Sequence, residues 1–156
     1  MSDDLPKYSS WEEVAMELAP SRNYWLTTIN QNNSPHPSPV WGVVLGEHFY
    51  FFTSRFTLKS RNLARDSRGS VHLESAEKVV IIHGRAVDIG EPNHSAEVAN
   101  ALTKKYRDPA DVDYLPINNE SYNVLYRFEP QRALLWSLAD FETSQRRWSR
   151  LRAEGG

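Results

Sequence analysis

The chain has 156 residues, of which 40% are hydrophobic and 24% charged, and its formal net charge is -2. That is long enough for one sizeable core and too apolar for a disordered chain, and the near-neutral balance offers no global basic field to a nucleic acid or an acidic membrane. With no cysteine at all, disulfides, thiolate-bound zinc, iron–sulfur clusters and thiol catalysis are removed together.

The opening Met1-Ser2-Asp3-Asp4 is acidic where a signal peptide is basic, and no apolar stretch follows it. The longest aliphatic run, Val79-Val80-Ile81-Ile82, is far too short to span a bilayer. The expectation is a cytoplasmic protein with neither a membrane nor a nucleic acid as partner. One domain over residues 1–156 is expected, with its core at about residues 20–138 and a tail at 139–156.

Ser10 can cap a helix over residues 11–18 that keeps Trp11, Val14, Ala15 and Leu18 on one face and stops at Pro20. Strand-like runs follow at 23–29, 36–45 and 48–53, the last two joined tightly through Gly46-Glu47. A helix is expected over 58–66, then strands at 70–74 and 78–88 across the turn Ser75-Ala76-Glu77. Gly84, inside that second strand, is costly unless something packs close to the backbone there. A second helix at 95–106 places Val98, Leu102 and Tyr106 four residues apart. An Asp- and Pro-rich loop covers 107–119. Tyr122, Val124, Tyr126 and Phe128 then alternate with polar and smaller positions, and a last strand is expected at 133–138, after Pro130. The tail carries Arg146, Arg147, Arg150 and Arg152 among Phe141, Trp148 and Leu151 and reads as helical at first, then frayed. Many short antiparallel strands with few helices between them predict a mainly β fold with peripheral helices, closed or nearly closed into a barrel.

The most informative stretch runs from Phe51 to Asp66. A buried strand ends in Thr53, Ser54 and Arg55, and Thr57 then opens a helix as its N-cap. The first turn of a helix has free N–H groups and partial positive charge, so it favours Asp or Glu. Here it receives Lys59 between Arg55 and Arg61, while Asp66 sits at the opposite end. An external anion would turn this conflict into a site, because hydroxyls, Lys and Arg around a helix start suit a phosphate monoester. A solvated basic helix start, costing a few tenths of a kcal/mol, is the plain alternative.

A second feature is Ser34-Pro35-His36-Pro37-Ser38-Pro39-Val40-Trp41-Gly42. Three prolines at alternate positions cannot all sit inside a central ladder, which predicts an edge or bent strand with carbonyls free to face a ligand. Trp41 can wall a planar ring or simply fill core.

Taken in order, Leu26-Thr27-Thr28, Asn33-Ser34-Pro35-His36, Pro39-Val40-Trp41, Phe51-Phe52-Thr53 and Lys59-x-x-Asn62-Leu63-x-x-Asp66 resemble the pyridoxamine-phosphate-oxidase-like superfamily. These are antiparallel split β-barrel proteins that bind FMN or the deazaflavin F420. The Pro-Val-Trp and Lys-x-x-Asn-Leu elements are most similar to the F420-using branch. The resemblance covers roughly residues 23–138. It implies that Thr53, Ser54 and Lys59 hold the cofactor phosphate, with Asn62 one turn later, and that Pro39, Val40 and Trp41 line the ring; Arg55, a further cofactor-binding candidate, joins Arg61 and Arg65 as cations that could meet the polyglutamate tail of F420. It also implies a Trp136/Arg146 pair near the ring, although residues 137–145 lack the family's glycine-containing turn. True pyridoxamine-phosphate oxidases carry Arg and Lys in the second strand, and no Lys or Arg stands between Arg22 and Arg55 here; activity on pyridoxamine phosphate is therefore not expected.

The resemblance implies a homodimer with the cofactor at or near the interface. It also implies hydride transfer between F420, or alternatively FMN, and a small unsaturated or quinone-like substrate; a flavin or heme carrier of the same fold is the alternative function. The five histidines, at 36, 48, 72, 83 and 94, show no metal spacing, and no Gly-x-Ser-x-Gly elbow exists.

Overall fold

A computed structural model describes residues 7–151; the acidic opening Met1–Asp4 and the last residues of the tail, on which two expectations rested, lie outside that range. Ser10 caps α1 (Trp11–Leu18), its Oγ accepting from the Glu13 N–H at 3.1 Å. Trp11, Val14 and Leu18 are buried, and the Trp11 ring tilts against Trp148 at 5.3 Å. In β2 (Tyr24–Ile29) the residues Tyr24, Leu26 and Thr28 point inward while Trp25 remains 37% exposed, the period of a strand with one covered face.

The proline-rich run forms β3 (Pro35–Val40), which pairs only with β2 and is an edge. Pro35, Pro37 and Pro39 stand opposite Ile29, Thr27 and Trp25, so the three missing donors fall at the alternate positions an antiparallel pair does not need. The expected single strand over 36–45 is two strands. After Trp41 the chain leaves β2, and β4 (Gly42–Leu45) pairs instead with β5 (His48–Thr53) through a turn at Gly46, where φ is 59°. The corner falls at a glycine for steric reasons: a Cβ on Gly42 would lie 2.4 Å from the Tyr50 carbonyl oxygen.

After α2 (Leu58–Arg65) the sheet resumes with β6 (Arg68–Leu73) and β7 (Lys78–Asp88). Its longest strand is β8 (Val124–Ser137), a continuous element where the sequence suggested two strands separated by Pro130. The N-terminal half of β8 pairs with β5 and its C-terminal half with β9 (Arg146–Ser149), while β7 pairs along its other edge. Pro130 falls where one partner gives way to the next, so its missing N–H costs little. The register slips there by one residue, opposite His83 and Gly84. A Cβ on Gly84 would stand 2.1 Å from the Glu129 carbonyl oxygen, which is the close backbone approach that a mid-strand glycine implied.

The tail is structured differently from its expectation. A short α4 (Phe141–Ser144) leads into β9, and Trp148 is 4% exposed in the main core. The fold's core therefore continues past residue 138. β1 (Lys7–Tyr8) pairs with β9 in parallel, so the otherwise antiparallel sheet is mixed at that edge. The fold is mainly β with peripheral helices, a split barrel built around two apolar clusters. The larger fills the barrel; the smaller lies under α3 (Ala96–Lys105) and gathers Val98, Leu102 and Tyr106 with Val43, Phe52 and Leu125. No helix among the described residues is long and apolar enough to cross a membrane.

Candidate functional site

Strand β5 ends at Thr53, and the chain turns through Ser54 and Phe56 into α2. Thr57 is the N-cap, donating from Oγ1 to the Ser54 carbonyl at 2.8 Å and accepting from the Ser60 N–H at 3.4 Å. Ser60 Oγ donates to the same Ser54 carbonyl at 2.8 Å. The Arg61 N–H bonds the Thr57 carbonyl at 3.2 Å. The N–H groups of Leu58 and Lys59 have no protein acceptor among the described residues, so the positive end of the helix remains open.

Lys59 is half-buried there, and no carboxylate lies within ion-pair distance among the described residues. Burial holds its ammonium below the ordinary lysine range. A desolvated cation without an anion, beside free N–H groups, is costly for an isolated protein and suited to an anionic ligand.

This helix start opens on a cavity of about 390 Å³ lined by Thr53, Ser54, Thr57 and Lys59 from the β5–α2 side and by Pro39, Val40 and Trp41 from the end of β3. Six residues implied by the resemblance thus meet in one place: Pro39, Val40, Trp41, Thr53, Ser54 and Lys59. The cavity joins a polar, cationic wall to an aromatic one. Its volume is in the range of small-molecule and cofactor sites.

Trp41 forms a fixed wall. Its ring lies parallel to Tyr106 at 4.3 Å with 5° between planes, and Tyr114 meets its edge at 6.4 Å. Its Nε1 donates to Asn23 Oδ1 at 2.8 Å. The backbone beside it is held as well, with the Gly42 N–H donating to Tyr106 Oη at 3.0 Å and Lys105 Nζ donating to the Gly42 carbonyl at 2.9 Å.

The other implied residues do not line this cavity within one chain. Arg55 is turned away, its guanidinium forked onto Asp88 at 2.6 and 3.2 Å. Asn62 is 1% exposed on the buried side of α2 and donates to Thr28 Oγ1 and Asn30 Oδ1, each at 3.0 Å; it fastens the helix to β2 and the following turn. Arg146 reaches the α1 carboxylates, pairing with Glu13 and with Glu17 at 3.2 Å. Trp136 sits near the end of β8 with Phe141 edge-on at 6.1 Å. For Arg55, Asn62 and Arg146 a nearer protein partner takes the side chain's donors. Arg61 and Arg65 likewise spend donors on backbone, the carbonyls of Phe56 and Ile29.

Asn23, Phe52, Tyr114 and Tyr122 complete the lining; of these only Phe52 stood in a motif the sequence singled out. Phe52 follows from the burial pattern of β5, and Tyr122 headed the alternating run that becomes β8 but lies just before that strand; Tyr114 lies in an aperiodic segment that gives no signal of direction. His72 and His83, expected on consecutive strands, are offset, standing opposite Ile81 and Ser70. No group of acidic and imidazole side chains able to hold a metal occurs among the described residues.

Among curated proteins none is similar enough in sequence to count as a match. Solved structures are similar in fold. A conserved hypothetical protein from Mycobacterium tuberculosis shares 23% identity at a TM-score of 0.67, over 99% of this chain and 91% of that one. A heme binding protein from Mycobacterium smegmatis shares 24% at 0.64, over 81% of this chain but 54% of its own, so this chain spans about half of it. An F420 reductase shares 16% at 0.61, over 80% and 96% respectively. The family model for pyridoxamine 5'-phosphate oxidase matches residues 10–137, a span that contains α1, the proline-rich edge, the Lys59 helix start and nearly all of β8; the chain belongs to that family.

Proposed function

We propose that the chain is an oxidoreductase that holds a phosphate-bearing flavin or deazaflavin, F420 in preference to FMN, and passes a hydride between its ring and a small unsaturated or quinone-like substrate. The observation that carries this reading is Lys59, a half-buried cation that has, among the described residues, no carboxylate partner and two helix N–H groups without acceptors beside it, in a cavity whose other wall is Trp41. The donor set fits the group. Thr53, Ser54, Lys59 and the start of α2 would take the phosphate, and Pro39, Val40 and Trp41 would border the ring. The bound cofactor would supply the hydride chemistry, while the protein orients the ring and excludes water.

The preference for F420 rests on the Pro-Val-Trp and Lys-x-x-Asn-Leu elements. Arg55, Arg61 and Arg65, cations that could meet the polyglutamate tail of F420, add less to it, because each already serves a protein acceptor. Activity on pyridoxamine phosphate is not part of the proposal, given that no Lys or Arg occurs between Arg22 and Arg55. A homodimer is proposed with it: the outward sheet face presents Trp25 and Leu134, 37% and 40% exposed, to a second copy. Sedimentation at micromolar concentration should show that dimer, and a monomer with full cofactor affinity would overturn it.

The deciding experiment titrates the purified protein with F420, FMN and heme, following ring fluorescence or absorbance. Tight F420 binding with weaker FMN binding is expected. FMN binding as tight as F420 would remove the deazaflavin preference. Heme binding alone would favour a carrier, the reading supported by heme-binding structures of the same fold.

A further inference from the structure

The segment between α3 and β8, residues 106–123, supplies Tyr114 and Tyr122 to the cavity but forms no ladder with the sheet. Tyr106 and Leu115 anchor it in the smaller apolar cluster, and the Pro116 carbonyl and Asn123 Oδ1 accept from Asn93 and the Arg55 N–H at 3.1 and 2.9 Å; among the described residues its ion pair to the body of the fold is at Asp111. Asp111 is 5% exposed, and both its oxygens accept from the Arg22 guanidinium, at 2.5 and 2.6 Å. This bidentate geometry is the strong form of an ion pair; removing the guanidinium leaves the Asp111 carboxylate desolvated, whereas the Arg22 side chain is itself 53% exposed, so losing Asp111 costs the fork rather than a buried charge. The Asp111 carbonyl also accepts from the Tyr114 N–H at 2.9 Å, so displacement of Asp111 displaces Tyr114.

Arg22 reaches the cavity wall as well. Its guanidinium lies 4.9 Å from the Trp41 ring centroid, and its carbonyl accepts from Tyr106 Oη at 2.7 Å. Tyr106 in turn stacks on Trp41. One residue just before β2 therefore joins the loop, the end of α3 and the fixed indole. The tyrosines so placed have ring edges against Trp41 and Phe52, and neither phenol hydroxyl has a protein partner among the described residues. Asn23 is engaged, with Oδ1 accepting from Trp41 and Nδ2 donating to Glu74 at 3.3 Å.

We propose that Arg22 and Asp111 are positioning residues that latch segment 106–123 over the cavity, and that Tyr114 and Tyr122, held by this latch, select the substrate by flanking a flat ring and donating to its carbonyl oxygen. The inference deepens the proposed function and rests on it for the identity of the ligand, but the latch is a property of the apo chain.

The test separates the two. Amide hydrogen exchange on the full-length apo protein would compare wild type with Asp111→Asn, Arg22→Lys and the exchanged pair Arg22→Asp/Asp111→Arg. Menadione, a flat dicarbonyl ring, would be titrated into each without cofactor. Asp111→Asn should raise exchange over residues 106–123 about tenfold, leave the β7–β8 ladder unchanged, and weaken menadione about tenfold. Arg22→Lys, which keeps the charge but loses the fork, should fall between. Tyr114→Ala and Tyr122→Ala should weaken menadione without raising exchange elsewhere in the segment, and the exchanged pair should recover part of both readouts. Unchanged exchange in Asp111→Asn overturns the latch. A loosened segment with unchanged menadione affinity overturns the selecting role. Failure of F420 and FMN to bind wild type, with the exchange pattern intact, would overturn the cofactor reading and leave the latch standing.

Discussion

Two half-buried lysines sit at opposite helix poles, and their surroundings differ in the way that separates a binding group from a structural one. Lys105 closes α3, where a cation is favoured by the helix dipole. Its Nζ donates to the Ala19 and Gly42 carbonyls and to Tyr24 Oη at 3.0, 2.9 and 2.7 Å. Each ammonium proton has an acceptor, and the ring of Tyr24 lies 4.6 Å away. Lys59 stands in the first turn of α2, where the dipole opposes it, with no acidic partner among the described residues. Burial lowers both pKa values, that of Lys105 to about 8. Burial alone therefore says nothing about role; the account of acceptors does.

Breaking the saturated lysine should have the largest effect. Lys105→Met removes three charge-assisted hydrogen bonds and leaves the Ala19 and Gly42 carbonyls only the longer, shared contacts from Tyr24 Oη and Tyr106 Oη at 3.1 and 3.2 Å; it should cost about 2–4 kcal/mol in urea denaturation, with weaker ligand binding following from the loosened Trp41–Gly42 corner. An unchanged urea midpoint would show that water replaces the ammonium.

Lys59→Ala should weaken cofactor binding by about 1–3 kcal/mol, the range of a charge-assisted hydrogen bond. The apo protein should be equally stable or slightly more stable, because the substitution removes a cation from a helix N-terminus. Calorimetric affinity and apo melting on the same variant decide between a ligand-holding lysine and a structural one, since loss of apo stability would place Lys59 with Lys105.

The pH dependence sharpens the contrast further. With the folded Lys105 titrating at about 8 and an unfolded lysine near 10.4, the unfolded chain binds more protons across that interval. Stability should therefore rise from pH 8 to pH 10, and the part due to Lys105 is lost as pH falls through 8. Because the group is partly solvated, the gain should be on the order of 1 kcal/mol rather than the full value of the shift. Above pH 10 the buried tyrosines Tyr24 and Tyr106, whose pKa values are raised by burial, reverse the trend. Urea midpoints at pH 8 and 9.5 measure the slope, and Lys105→Met should flatten it.

The smallest effect is expected at Arg55. Its pair with Asp88 is about half exposed on both sides, so Arg55→Ala should cost no more than about 1 kcal/mol and leave cofactor affinity unchanged. A loss comparable to that of Lys59→Ala would return Arg55 to the site.

Local chemistry made much of this protein readable from its residues. Ser10 and Thr57 announced helix starts because capping depends on a side chain within three residues of its target. The alternating prolines identified an edge because proline lacks a donor wherever it stands. Gly84 implied a close backbone approach, and the charge conflict around Lys59 identified a helix start open to an anion. Other features depended on partners distant in sequence. The corner at Trp41 exists because Gly42 meets Tyr50 and Phe49, and β8 stays continuous through Pro130 because β5 ends and β9 begins there. β9 itself was hidden by the tail's arginines, whose charge is taken up by contacts such as Arg146 with Glu13 and Glu17. The same limit governed the site. Pro39, Val40, Trp41, Thr53, Ser54 and Lys59, implied by the resemblance, line one cavity, whereas Arg55 and Asn62, implied beside them, are drawn to Asp88, Thr28 and Asn30. Sequence states which groups can bind a ligand; which of them remain available is decided by tertiary structure, because a side chain's donors go to the nearest acceptor, and that acceptor is set by the fold.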